Sequence, residues 1–119
     1  MKETLITDTN SLIYSIKNRL DIRNAILNLP VAFEILIPEC VIDELKGLSR
    51  TYWYAGAALK YSEYFNVIRS SGMGDDCILK TAEALNCYVL TNDRGLIQRL
   101  RSKNIRVLIF SQGKTIKMI

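Results

Sequence analysis

A chain of 119 residues is long enough for one domain with a single hydrophobic core and too short for two. Hydrophobic residues make up 49% and charged residues 24%, an ordinary globular balance, and no apolar run approaches the roughly 18 residues of a membrane span. The formal net charge is +4, and the absence of histidine excludes Ser-His-Asp and Cys-His catalysis together with His zinc sites.

Thr4–Thr7 reads as a first strand. It is followed by a helix over Asn10–Arg19, with Leu12, Ile13 and Ile16 at helical spacing. A second helix is expected over Asp21–Leu29 and is ended by Pro30. Glu34–Ile37 is the second strand, and Pro38 opens a helix whose stripe is Val41, Leu45 and Leu48. Thr51–Tyr64 reads as an aromatic-rich helix, and Phe65–Ile68 as strand three. After the turn Ser70–Gly74, Asp75–Leu85 forms a helix with Ile78, Leu79, Ala82 and Leu85 on one face. Cys87–Leu90 is strand four, Leu96, Ile97 and Leu100 mark a last helix, and Ile105–Phe110 is strand five. Ser111–Ile119 carries no strong pattern.

Strands alternating with helices indicate a parallel sheet with right-handed crossovers, and such sheets bind ligands beyond the carboxyl ends of their strands. The start of the chain has no signal-peptide core, so a cytoplasmic location is expected. Cys40, Cys77 and Cys87 form no C-x-x-C pair and are odd in number, which favours buried free thiols over disulfides or zinc ligands.

A carboxylate follows each of the first four strands: Asp8, Glu44, the pair Asp75 and Asp76, and Asp93. Each has a purely structural reading. Asp8 suits a helix N-cap, one of Asp75 and Asp76 could cap the helix they open, and Asp93 could shape a turn. Glu44 borders the buried stripe of its helix, where a carboxylate needs a partner or a cation. Together at one sheet edge they repel one another, and a hard divalent cation such as Mg²⁺ or Mn²⁺, which takes oxygen ligands, relieves that repulsion. Asn10 and Asn92 stand close enough in sequence to orient a carboxylate or a water.

No acidic residue follows Asp93, whereas Arg94, Arg99, Arg101, Lys103, Arg106, Lys114 and Lys117 do. This asymmetry suits either a polyanionic partner or a solvated helix face. Tyr52, Trp53 and Tyr54 could stack on bases or bury themselves in the core or a subunit contact.

The order Asp8-Thr9-Asn10, Pro38…Val41-Ile42-Asp43-Glu44-Leu45, Gly74-Asp75-Asp76 and Leu90-Thr91-Asn92-Asp93 resembles the PIN domain, over almost the whole chain. It is most similar to compact archaeal-type members, among them VapC-like toxins and relatives of ribosomal-RNA processing factors. The resemblance implies a single domain over 1–119: a three-layer α/β/α sandwich with a five-stranded parallel sheet in the order 3-2-1-4-5. It implies a Mg²⁺- or Mn²⁺-dependent endoribonuclease for single-stranded RNA, of toxin or RNA-processing type. The implied catalytic quartet is Asp8, Glu44, Asp75 and Asp93, with Asp8, Asp75 and Asp93 on the metal and Asn10, Asp76 and Asn92 in support. Arg94, Arg99, Arg101 and Lys103 would hold the RNA backbone, and an antitoxin protein and a second copy of the chain would be partners. A haloacid-dehalogenase-type phosphatase also begins with strand, Asp and Thr, but needs a second Asp where this chain has Asn10. A non-catalytic RNA-binding or assembly module on the same fold is the rival of another class.

Overall fold

The computed structural model describes residues 1–112 and 114–119. The elements run β1 (Glu3–Thr7), α1 (Thr9–Lys17), α2 (Ile22–Ala25, continued by a 3₁₀ turn at Ile26–Asn28), β2 (Phe33–Pro38), α3 (Glu39–Leu48), α4 (Trp53–Ser62), β3 (Asn66–Ile68), α5 (Gly74–Leu85), β4 (Tyr88–Leu90), α6 (Arg94–Ser102), β5 (Val107–Ser111) and β6 (Thr115–Met118). They form one sheet in the order β3-β2-β1-β4-β5-β6.

β1 is central because it is apolar on both faces. Leu5 and Ile6 are fully buried, and Leu5 pairs with Ile35 on one side and Tyr88 on the other. The chain leaves β1 toward β2 and β3, then crosses back to add β4 beyond β1. The β1–β4 border is therefore the topological switch point, where loops diverge and a crevice opens. Right-handed crossovers put α1, α3 and α4, which pack together, on one face of the sheet, and α5 and α6 on the other. α6 shows the amphipathic logic most plainly: Leu96 and Leu100, four residues apart, are buried under the sheet, while Arg99 and Arg101 stay exposed.

The strand order agrees with expectation except at its end, where the sheet has a sixth strand. β6 runs antiparallel to β5, with Phe110 opposite Ile116 and Ile109 opposite Lys117. Exposed Thr115 and Lys117 alternate with buried Ile116 and half-buried Met118, a period of two too short to stand out in the sequence. The free-thiol reading also fails in part: Cys40 and Cys77 are joined by a disulfide, and Cys87 stays reduced and buried. The two bonded residues are 37 positions apart, and only the packing of α3 against α5 brings their Cα atoms to 6.7 Å, so spacing alone could not reveal the pair. Burial pushes the Cys87 thiol up to about 11, which keeps it protonated and unreactive at neutral pH.

The expected second helix is one short turn of α-helix plus a 3₁₀ turn, held by a polar knot. Asp21 caps it by accepting from the Arg23 N–H at 3.0 Å; it also accepts from the Arg23 guanidinium and from the Tyr61 hydroxyl. The Arg23 hydrogen bonds hold the Asp21 carboxyl below its ordinary value of 3.8. A lowered folded-state pKa means stability that is present above 3.8 and lost as pH falls through the depressed value. Asp21→Asn should therefore melt below the wild type at pH 7, and the gap should close in melts run at progressively lower pH beneath 4.

Candidate active site

Three strand–helix junctions and one helix place the sequence-predicted carboxylates around one cavity at the carboxyl edge of the sheet. Asp8, Glu44, Asp75 and Asp93 all line it, with Asn10 and Cys40 among the other walls. Its volume is about 90 Å³, enough to admit water.

Asp8 lies just past the end of β1 and is 8% exposed. It does cap α1, accepting from the Ser11 N–H at 2.8 Å, and its other oxygen accepts from the Thr91 hydroxyl at 2.5 Å. Cap and cavity wall are thus the same residue. Burial raises its carboxyl above 3.8 against the pull of the Ser11 and Thr91 hydrogen bonds, and the Asp75 charge adds to the rise. Asp93 is likewise the N-cap of α6, through the Leu96 N–H at 2.9 Å. Its own N–H donates to the Thr91 hydroxyl at 3.1 Å, so Thr91 links the two aspartates across the switch point.

Glu44 lies one helical turn after Cys40 on α3. It is exposed, more so than its position beside the buried stripe suggests, and of the expected partner or cation it has a partner: the Thr9 hydroxyl, which donates at 2.5 Å. Asp75 lies in the first turn of α5. Its carboxyl is raised by desolvation and then by repulsion from Asp93, with Asp76 and Glu44 adding to the rise and Arg99 opposing it. The expectation that Asp75 or Asp76 caps α5 is not met, since Met73 holds the N-cap position without a side-chain bond. Asp76 faces away from the cavity, in an exposed ion pair with Arg99 at 2.7 Å, which holds its carboxyl below the ordinary value.

The carboxylates repel one another across the cavity but are not drawn in. Among the described residues, no three acidic or sulfur-bearing side chains already stand at metal-ligand spacing. The donor set still suits a hard cation, being all oxygen with no imidazole, and a Mg²⁺ ion keeps several waters that can span to carboxylates further out. A cation in the cavity would be held by Asp8, Asp75 and Asp93, with Glu44 binding directly or through water.

The remaining predicted residues scatter. Asn92 points away from the cavity: its amide donates to the Phe110 carbonyl at 3.2 Å and its oxygen accepts from the Phe110 N–H at 2.8 Å, which pins the loop before Asp93 to β5. Asn92→Ala would leave both backbone groups without that partner. The expected cost is about 1–3 kcal/mol in urea unfolding, larger than Ala at an exposed loop site normally brings. Arg94 opens α6 beside Asp93. Arg99 is taken up by Asp76, and Lys103 lies 3.5 Å from Glu83. Arg101 and Lys103 belong to the far end of α6, about 10 Å from its start at 1.5 Å per residue. Sequence patterning does not single out Thr9 and Cys40, which line the cavity, or Thr91, which bonds Asp8 and Asp93 behind it, although Thr9 adjoins Asp8 and Thr91 lies two residues before Asp93. Trp53 is 73% exposed and is not part of the cavity wall.

A family model described as PIN like domain matches residues 5–113. Ribonuclease VapC4 of Methanocaldococcus jannaschii is 32% identical over 120 residues, covering 92% of this chain and 92% of its own. The human rRNA-processing protein FCF1 homolog is 29% identical over 101 residues, 82% of this chain and 51% of its own. Among solved structures, the PIN domain endonuclease Utp24 superposes with a TM-score of 0.81 at 27% identity, covering 97% of this chain and 90% of that one.

Proposed function

This chain belongs to the PIN-like domain family, and on that footing we propose that it is a Mg²⁺- or Mn²⁺-dependent endoribonuclease that hydrolyses phosphodiester bonds in single-stranded RNA. The observation that carries the reading is the convergence of Asp8, Glu44, Asp75 and Asp93, from four separate elements, on one small polar cavity at the switch point. The name ribonuclease borne by the VapC4 relative and the endonuclease title of the Utp24 structure support the same chemistry.

A divalent cation in the cavity would lower the pKa of a water and neutralise charge on the phosphate. The protein's own groups do the placing. Ser11 and Thr91 hold the Asp8 carboxylate in a single orientation, and Thr9 does the same for Glu44. Thr91 also sets the Asp8–Asp93 spacing through its two bonds. Asn10, on the cavity wall, offers an amide to a water or a phosphate oxygen. With no histidine in the chain, proton transfer falls to carboxylates and water. Arg94, Arg99, Arg101 and Lys103 attract the RNA backbone. Arg99 and Lys103 do so by exchanging an exposed carboxylate partner for a phosphate, an exchange that carries little energy at the surface. Such binding weakens with salt and has little sequence preference.

The partners that fit this reading are single-stranded RNA, an antitoxin protein if the chain acts as a toxin, and a second copy of the chain through the exposed Tyr52, Trp53 and Tyr64. The test is incubation with single-stranded RNA and, separately, duplex DNA, with Mg²⁺ or Mn²⁺ and then with EDTA. Cleavage of the RNA alone, stopped by EDTA, is expected. RNA binding without cleavage under any metal would leave the non-catalytic module as the better reading.

A further inference from the structure

The walls of the cavity are tied together pairwise around its rim. Glu44 on α3 is bonded to Thr9 of α1, and Asp8, beside Thr9, is bonded to Thr91. Thr91 accepts from Asp93 at the start of α6, and Arg99 of α6 pairs with Asp76 of α5, beside Asp75. From α5 back to α3 the closing link is covalent: Cys77, two residues after Asp75, is bonded to Cys40, one helical turn before Glu44. Every other link in this circuit is a hydrogen bond or an exposed ion pair.

We infer that the Cys40–Cys77 bridge is a positioning element of the acidic site, holding Glu44 and Asp75 at the spacing that sets its affinity for a divalent cation. This rests on the metal-dependent reading given above. Without the bridge, the segment leading into α5 has a weak hold on α3, chiefly the Cys40 N–H donating to the Ser70 hydroxyl at 2.9 Å. Gly72 and Gly74 in that segment have φ of +84° and +57°, backbone positions that impose little stiffness on glycine. The side of the cavity that carries Asp75 is then held to the Glu44 side by that hydrogen bond and the core packing of Ile78 and Leu79, with no covalent tie between them. Cys77 is fully buried, but Cys40 is partly exposed and borders an open groove of about 470 Å³ lined by Asp43, Glu44 and Gly72–Gly74, so a small thiol has a route to the bond.

Reduction by a dithiol balances simply. One reductant thiolate attacks a bridge sulfur and displaces the other; the second reductant thiolate then closes a cyclic disulfide. Two electrons and two protons end on Cys40 and Cys77 as thiols, and the reductant is oxidised.

The experiment compares the full chain, the same chain after dithiol reduction and removal of the reductant, and Cys40→Ser with Cys77→Ser. Cys87→Ser serves as a control that keeps the bridge. Thiols are counted on chain unfolded without reductant; one is expected, from Cys87, and a count of three after aerobic purification overturns the inference. The Kd for Mn²⁺ is then measured by calorimetry alongside the metal-free Tm. We expect the reduced and double-serine forms to bind Mn²⁺ about tenfold more weakly or worse, the loss typical of removing a support behind a ligand. A lower metal-free Tm with an unchanged Kd would mean the bridge is only a staple and would overturn the inference while leaving the metal site standing. No Mn²⁺ binding by the bridged form would overturn the metal reading itself, and the inference with it.

Discussion

Asp8→Asn and Asp93→Asn should each yield a folded protein that cleaves single-stranded RNA at least about 100-fold more slowly than the wild type, the scale of losing one charge-stabilising group. The fold should survive because Asn is itself a good N-cap, and an amide at position 8 or 93 can still accept from the Ser11 or Leu96 N–H. Burial disfavours the charged form of Asp8, so the neutral amide removes a cost that the metal-free protein carries at neutral pH. Asp8→Asn should therefore melt no lower than the wild type without metal. Loss of activity together with a collapsed melt would point instead to a structural role. Asp76→Asn is the control: it removes a carboxylate next to Asp75 that faces Arg99 and not the cavity, and it should cleave within a few fold of the wild type.

Mn²⁺ should raise the wild-type Tm by on the order of 10 °C at saturating concentration. Linkage gives about 2.7 kcal/mol at a hundredfold excess over Kd, and a domain of this size moves a few degrees per kcal/mol. The direction follows from the carboxylate repulsion that the metal-free cavity carries, Asp75 against Asp93 and Asp8 against Asp75. Asp8→Asn should start from an equal or higher Tm and gain far less from the metal, so the two melting curves converge as Mn²⁺ is added. A wild-type Tm that ignores millimolar Mn²⁺ would leave the four carboxylates as caps and surface charges.

How much of this was legible in the sequence differs between strand and loop. The apolar runs Leu5-Ile6, Ile35–Ile37 and Val89-Leu90 are long enough, and buried on enough sides, to mark the central strands of the sheet and hence the edge where the carboxylates sit. Asp8 and Asp93 could be placed because one residue type at a strand–helix junction serves as both cap and cavity wall. β6 was not legible because one buried residue, Ile116, carries its face, and its pairing is set by β5 and not by its own pattern. The disulfide was hidden for a related reason: it depends on α3 meeting α5 across the sheet edge, a tertiary contact with no local signal. The asymmetry of charge after Asp93 is visible in the sequence itself. The split of the basic residues between ion pairs and free positions depends on Asp76 and Glu83 of α5, which pack beside α6 only once the fold has formed.

Crystals grown with Mn²⁺ and measured at the manganese absorption edge locate the ion directly. The expected result is an anomalous peak in the cavity bounded by Asp8, Glu44, Asp75 and Asp93, within coordination distance of carboxylate oxygens of Asp8 and Asp93. A protein that cleaves RNA while its only manganese peak lies away from those carboxylates would contradict the account.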